Sequence, residues 1–244
     1  MKFLSYILSS IFAIVFFFFL FIFHPLQWLG LKIFGYKGHK FVVDIMNWVL
    51  MKTLLILGIK VAVKNKHKLP EKTTLIFVAN HQSMFDISPI IWTFRTYHPK
   101  FVSKIELSKG IPSISFNLRH GGAALIDRKD GKQAIAVLGK FAKKINKEKW
   151  SAVIFPEGTR SRNGKPKSFS ANGLKMIAKY NPEAFVVPLT INNSWKVFKY
   201  GKFPLGIFSP ITIETHKPIQ VKSMDFKELI KEVETTITNN INNN

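Results

Sequence analysis

Two short stretches of this 244-residue chain carry residue types suited to proton transfer beside an anionic substrate. The first is Asn80-His81-Gln82-Ser83-Met84-Phe85-Asp86, directly after the apolar run Thr74 to Ala79. A histidine held by a carboxylate is a general base: the carboxylate fixes the ring tautomer and steadies the imidazolium formed when a hydroxyl gives up its proton. Five residues of regular helix would turn His81 and Asp86 roughly 140° apart, so the two meet only if His81 sits on a strand-to-helix turn. The competing reading is an ordinary strand-end histidine with Asp86 capping a helix. In the second stretch, Ala152-Val153-Ile154-Phe155 runs into Pro156-Glu157-Gly158-Thr159-Arg160-Ser161. Arg160 offers a planar fork for a phosphate, Glu157 an acceptor for a polyol hydroxyl, and Gly158 a close approach to the backbone. Alone, Pro-Glu-Gly-Thr also reads as a plain turn.

A third polar strand end lies between Lys104-Ile105-Glu106-Leu107 and Ile126-Asp127-Arg128, with Gly121-Gly122 ahead of the latter. Lys104 and Arg128 are candidate anion contacts, and Asp127 a salt-bridge partner for Arg128. Pro188 inside Val186-Val187-Pro188-Leu189-Thr190 marks an edge, a bulge or a lining position. Ser83, two residues from His81, raises a hydrolase as an alternative, although no nucleophile-elbow glycines surround it.

Composition narrows the chemistry. A formal charge of +22 calls for an anionic partner. Zero cysteines exclude thiol nucleophiles, disulfides and cysteine-bound zinc. The seven histidines make no metal-binding pattern, so neither metal nor cofactor is expected. Nucleic acid is disfavoured because the aromatics concentrate in the apolar N-terminal segment rather than among the lysines.

The surrounding elements must hold these strand ends together. Phe3 to Phe23 is uncharged and long enough to cross a bilayer as a helix. Lys32, Lys37 and Lys40 after it place the rest of the chain in the cytoplasm. Phe41 to Ile59 is a second apolar segment, followed by Lys60, Lys64, Lys66 and Lys68. It is expected to be an interfacial or re-entrant helix packed against the first, with two full spans as the alternative. From Leu69 onward, strands are predicted at Leu75 to Ala79, Ala123 to Ile126, Ala152 to Phe155, Phe185 to Ile191 and Ile211 to Glu214. Helices are predicted at Asp86 to Phe94, Gln133 to Ile145, Ala171 to Tyr180 and Asp225 to Ile237. The fold class is α/β, a largely parallel or mixed sheet flanked by helices and preceded by a membrane-associated two-helix segment. The expected boundaries are 1–60 for the anchor, 61–238 for the α/β domain and 239–244 for a disordered tail. The lysines of Lys132 to Lys149 form a solvated helix face or a rest for anionic lipid.

His81 to Asp86 resembles the H-x4-D block of the glycerolipid acyltransferases, the 1-acyl-glycerol-3-phosphate acyltransferase family. Phe155 to Ser161 is similar to that family's third block residue for residue, Lys104 with Glu106-Leu107 and Ile126-Asp127-Arg128 resemble the two ends of the second, and Val187-Pro188 resembles the fourth. The likeness spans about Phe77 to Thr190. It departs where the second block usually has a Pro-x-x-Gly step and this chain has Pro112-Ser113-Ile114-Ser115. The resemblance implies acyl transfer from acyl-carrier protein or acyl-CoA, as co-substrate, to the sn-2 hydroxyl of lysophosphatidic acid. His81 and Asp86 are then catalytic. Arg160, Lys104 and Arg128 clamp the phosphate, Glu157, Gly158 and Thr159 position the glycerol, and backbone N–H groups after His81 hold the oxyanion. The domain docks on the anionic inner leaflet.

Overall fold

In the computed structural model, residues 2–65 and 67–242 are described. Lys66, one of the lysines after the second apolar segment, and Asn243-Asn244 of the expected tail lie outside them.

The organising element is β2 (Leu75–Ala79), five apolar residues buried on both faces, as a central parallel strand covered by two layers requires. Parallel to it run β6 (Phe185–Asn192) on one side and β5 (Ser151–Ile154) on the other, then β3 (Pro99–Lys104) and β4 (Ala124–Ile126). β7 (Ile211–Thr215) pairs antiparallel with β6 and carries β1 (Val61–Asn65) parallel on its far side, and β8 (Ile219–Gln220) pairs antiparallel with β6. The sheet is therefore mixed, with a five-stranded parallel centre whose carboxyl ends all point one way.

One face is covered by α4 (Gly131–Glu148), α5 (Ala171–Lys179) and α6 (Phe226–Asn239), whose apolar stripes meet Ile76, Val78, Ala152 and Val186. The other is covered by α2 (Ile87–Thr93) and by α1 (Lys2–Thr53), while α3 (Ile114–His120) also packs on α1. The predicted helices and the five predicted strands are present. Missing from the expectation were β1, β3, β8 and α3. β3 opens on a proline and closes on a lysine, and β1 is a half-exposed edge flanked by lysines, so neither carries the long apolar run of a buried strand.

Pro188 is neither at an edge nor in a bulge. It pairs with Val78 on one side, and on the other it falls between the stretch of β6 bound to β8 (185–186) and that bound to β7 (189–192), where an N–H has no strand partner to miss. The tail departs from expectation too. Ile241 is buried, and Asn192 accepts from the Asn242 N–H (2.8 Å) and donates to the Asn240 carbonyl (3.1 Å), so the chain is tied down through Asn242.

α1 is two helical arms joined at Gly35, whose φ of 60° and ψ of −147° suit glycine alone. The first arm continues through Pro25 past the expected end at Phe23, and the second folds back on it. They cross at paired glycines: a Cβ on Gly38 would lie 2.4 Å from the Gly30 carbonyl oxygen. Phe12, Phe16, Leu20 and Phe23 of the first arm, spaced by three or four, pack into the core. The Leu205 N–H donates to Ser9 (2.8 Å), and Ser113 donates its hydroxyl to the Leu20 carbonyl (2.6 Å) and its N–H to His24 Nδ1 (3.0 Å). The Pro112-Ser113-Ile114-Ser115 departure is thus a docking point for the first arm. The outward face remains apolar, with Ile14, Phe17, Phe18 and Phe21 exposed.

Gly38→Val should cost about 1–3 kcal/mol through overpacking at this crossing. Gly173→Ala, whose added methyl meets no atom within 4 Å, should be neutral or stabilise α5 by up to about 1 kcal/mol. Thermal unfolding of both variants in detergent measures the contrast, and equal Tm values would contradict the crossing.

Candidate active site

β2 ends at Ala79, and Asn80 locks the strand end by donating to the Ile191 carbonyl (2.8 Å) and accepting from the Ile191 N–H (2.7 Å). The next residues form a turn rather than a helix. Ser83 caps the 3-10 segment Met84–Asp86, accepting from the Phe85 N–H, and Asp86 completes the capping box. This turn brings His81 Nδ1 to 2.8 Å from Asp86 Oδ2. The same oxygen accepts the N–H groups of Gln82 (2.8 Å) and Ser83 (2.9 Å). Asp86 is wholly buried, which a carboxylate tolerates only when so many donors meet it. The cap and the His–Asp pair, alternatives in the sequence, are one arrangement. His81 Nε2 makes no hydrogen bond with a described residue, and the side chain keeps 15% of its surface exposed. That leaves one basic nitrogen for a substrate proton.

The loop after β5 is fastened to this turn by backbone contacts. Glu157 Oε1 accepts the His81 N–H (2.8 Å), Oε2 accepts the Lys167 N–H (2.9 Å), and the Ser161 N–H donates to the His81 carbonyl (2.7 Å). Burial pushes the Glu157 carboxyl above its ordinary pKa, and the two backbone N–H donors pull against that shift. Glu157 was expected to meet a polyol. Instead it is 8% exposed with both oxygens engaged by the backbone, so it joins two loops. Phe155 stacks on the imidazole, ring centroids 4.0 Å apart and 15° from parallel. Sequence reasoning passed over Phe155 as the last apolar residue of a strand. The signal was its register: β2 and β5 pair in parallel at Val78 and Ile154, so the residues just beyond are neighbours.

Gly158 has φ of 69° with open space where a Cβ would stand, and its carbonyl accepts from Arg128 Nη1. Thr159 Oγ1 accepts from Lys167 Nζ (2.6 Å). Arg128 thus braces the loop with part of its guanidinium. Asp127, the expected partner of Arg128, instead accepts from the Lys129 N–H (2.8 Å). Lys104 and Arg160 are exposed and pair with no described residue. They share the carboxyl end of the parallel strands with His81, but no contact joins them to it. Two other expectations change. The N–H groups of Gln82, Ser83 and Phe85 are committed to Asp86 and to the Ser83 hydroxyl, so they are not free to hold an oxyanion. Ser83 Oγ is fully buried and bonded to Ser194, which removes it as a nucleophile.

An α/β sheet with a histidine–carboxylate pair and unpaired cations at its carboxyl end has the layout of an enzyme acting on an anionic substrate. Residues 60–192 match the family model described as Acyltransferase. The chain belongs to the acyltransferase family, as its motifs had indicated. It is 29% identical over 167 residues to a chloroplastic 1-acyl-sn-glycerol-3-phosphate acyltransferase of Arabidopsis thaliana, covering 68% of this chain and 45% of that protein. Proteins of the same name from Borreliella burgdorferi and Helicobacter pylori are 29% and 34% identical over 158 and 126 residues, covering 63% and 50% of this chain and 61% and 50% of theirs. The chain spans about half the length of the curated relatives it matches. The fold is similar to the crystal structure of the 1-acyl-sn-glycerophosphate (LPA) acyltransferase PlsC from Thermotoga maritima, with a TM-score of 0.77, 23% identity, and coverage of 96% of this chain and 95% of that one.

The raised Glu157 pKa has a measurable sign. The folded carboxyl holds its proton to higher pH than the unfolded one, so its contribution is complete below the ordinary value of 4.5 and is lost as pH rises through the folded pKa. Wild-type protein should therefore lose stability over that window relative to Glu157→Gln. The variant itself should be about 1–3 kcal/mol less stable at neutral pH, because one buried N–H donor then faces an amide NH2. Denaturant unfolding of both across pH 4–7 tests each part.

Proposed function

We propose that the protein transfers a fatty acyl group from a thioester, acyl-carrier protein or acyl-CoA, to the sn-2 hydroxyl of lysophosphatidic acid, giving phosphatidic acid. The observation that carries this reading is the His81–Asp86 contact with Nε2 left free at a sheet end bearing unpaired Lys104 and Arg160. His81 Nε2 takes the hydroxyl proton as the oxygen bonds to the thioester carbonyl carbon. Asp86 stays ionised and steadies the imidazolium. The tetrahedral adduct expels the thiolate, which recovers the proton from His81. A thiol of pKa about 8.5 is a good leaving group, so one base suffices and no covalent serine is needed. Arg160 and Lys104 hold the phosphate, with the remaining donors of Arg128 beside them. Gly158 and Thr159 line the approach for the glycerol.

The N-terminal arms support a location in the membrane. Lys2–Leu57 is long and apolar enough to cross one, and only 28% of its most apolar window is covered by the protein. A helix apolar all round with its outer face uncovered needs a non-aqueous neighbour. Held in the inner leaflet by the two arms, the domain meets a lipid substrate without extracting it, on the cytoplasmic side that the flanking lysines favour.

His81→Ala should lower kcat about a thousandfold with the fold intact. Arg160→Ala should lower kcat/KM for lysophosphatidic acid about 10–100-fold and should affect lysolipids without a terminal phosphate much less. Phosphatidic acid formation from both thioester donors is the assay, and activity surviving in His81→Ala would remove the imidazole from the mechanism. In flotation with phosphatidylglycerol vesicles, Phe18→Glu with Phe21→Glu should leave the protein in the dense fraction, since each buried charge costs about 2.5–3.5 kcal/mol. Flotation equal to wild type would place that face outside the bilayer.

A further inference from the structure

A cavity of about 40 Å³ opens beside Pro99, where β3 begins. The candidate active site lies beyond the opposite end of that strand, roughly 15 Å away. His39, Lys40 and Asp44 from the second arm of α1 line the cavity, with His98 and Lys100 before and within β3 and Asn117 from α3. Lys100 is 9% exposed. Its ammonium lies over the faces of Tyr36 (4.9 Å) and Trp150 (4.8 Å) and meets no oxygen acceptor among the described residues. Ring faces offset part of the cost of burying a cation but accept no conventional hydrogen bond. His39 is 1% exposed, and its Nε2 is buried without a partner. The Tyr36 hydroxyl is 2.8 Å from His98 Nδ1, and with that nitrogen accepting, Nε2 of the ring carries the proton and is a donor. Asp44, the one carboxylate in the lining, is already paired with Lys40. The cavity therefore collects donors from two layers of the fold, and its acceptors are the Asp44 carboxylate, already paired with Lys40, and the Asn117 amide, neither of which bonds Lys100.

We infer that this cavity binds a phosphate group, as inorganic phosphate or a phosphate monoester, with Lys100 and His98 as its donors and His39 completing them in the tautomer that protonates Nε2. The tetrahedral oxygens of phosphate can face donors converging from several directions. The space is ample for such a group, given that a single water needs about 10–15 Å³ on the same measure. Burial and the neighbouring Lys40 lower the Lys100 pKa to about 7 against the pull of Asp44, so a bound anion would favour its charged form. The phosphate can come from solution or from a lipid headgroup, since the cavity sits just beyond the bend between two arms whose outer faces are apolar.

The test uses the full chain in non-ionic detergent, with Tm followed against inorganic phosphate at matched ionic strength in chloride, and separately against short-chain phosphatidic acid. Arg160→Ala, which lacks the main phosphate contact proposed at the active site, should gain roughly 5 °C at a hundredfold excess over Kd, and Lys100→Met added to Arg160→Ala should gain nothing. A shift with inorganic phosphate assigns the site to a free ion, and a shift with phosphatidic acid alone assigns it to a headgroup. Replacing a buried, unpaired cation with an isosteric apolar chain should leave the ligand-free fold intact. Should Lys100→Met fail to fold, His98→Asn carries the test, because asparagine tolerates the φ of 50° at this position, and its Kd should rise about tenfold. No shift with either ligand, a shift that persists when Lys100→Met is added to Arg160→Ala, unchanged affinity in His98→Asn, or loss of the shift in Arg160→Ala would each overturn the inference. None of these readouts depends on acyl transfer.

Discussion

A carboxylate with no solvent exposure must find its hydrogen-bond donors inside the protein, and Asp86 finds them in the turn that precedes it. Two backbone N–H groups and an imidazole converge on one oxygen. Satisfying that oxygen dictates the path of residues 81–86, and with it the direction in which His81 faces. The neighbouring loop is fixed by a parallel device, since the Glu157 carboxylate accepts N–H groups from His81 and Lys167. Buried acids thus set the geometry of both loops at this sheet end. The imidazole is held on three sides, by Asp86, by its own bonded backbone and by the Phe155 ring, leaving Nε2 as the open direction.

That constraint works only because the sheet delivers the two loops side by side. β2 and β5 are adjacent and parallel, and their paired residues run in register to Val78 and Ile154. Motifs separated by more than seventy residues in sequence therefore begin at the same height. β3 and β4 extend the row and bring Lys104 level with Ile126, two residues before Arg128. Each cationic side chain reaches the sheet end through its strand, and its charge there owes nothing to its sequence neighbours.

How much of this could be read from the sequence follows from where the determining interactions lie. β2, β5 and β6 were legible because a strand buried on both faces needs an unbroken apolar run, and such a run leaves few alternatives. β3 was not legible, for its placement depends on pairing with β5 and β4 rather than on its own composition, which includes Pro99, Lys100 and Lys104. The His81–Asp86 contact could be argued from helical geometry. The work of Glu157 could not, since its partners are backbone N–H groups at His81 and Lys167 that no side-chain pattern announces. Residues 239–242, the described part of the expected tail, depart from the expectation for a similar reason. A run of asparagines looks like disorder, but Asn192 binds both faces of the backbone at 240 and 242, and Ile241 fills the edge of the α6 core.

The two arms of α1 join the His81 turn to an outward apolar face through packing. Phe12 and Phe16 of the first arm meet the Phe85 ring at 5.6 and 6.0 Å, and Phe85 stands between Met84 and Asp86 in the turn that holds His81. The arm whose outer face requires an apolar neighbour therefore supports, on its inner face, the residue beside Asp86. Displacing the arm would uncover Phe85 and loosen the turn around Asp86, and a carboxylate with fewer fixed donors would hold the imidazole less firmly. In the reaction we propose, the acceptor carries an acyl chain and stays in the lipid phase, since each buried methylene favours that phase by about 0.8 kcal/mol. A base proposed to act on its hydroxyl gains from being fixed against an element that shares the same phase, because the distance between nitrogen and hydroxyl is then set by one rigid contact.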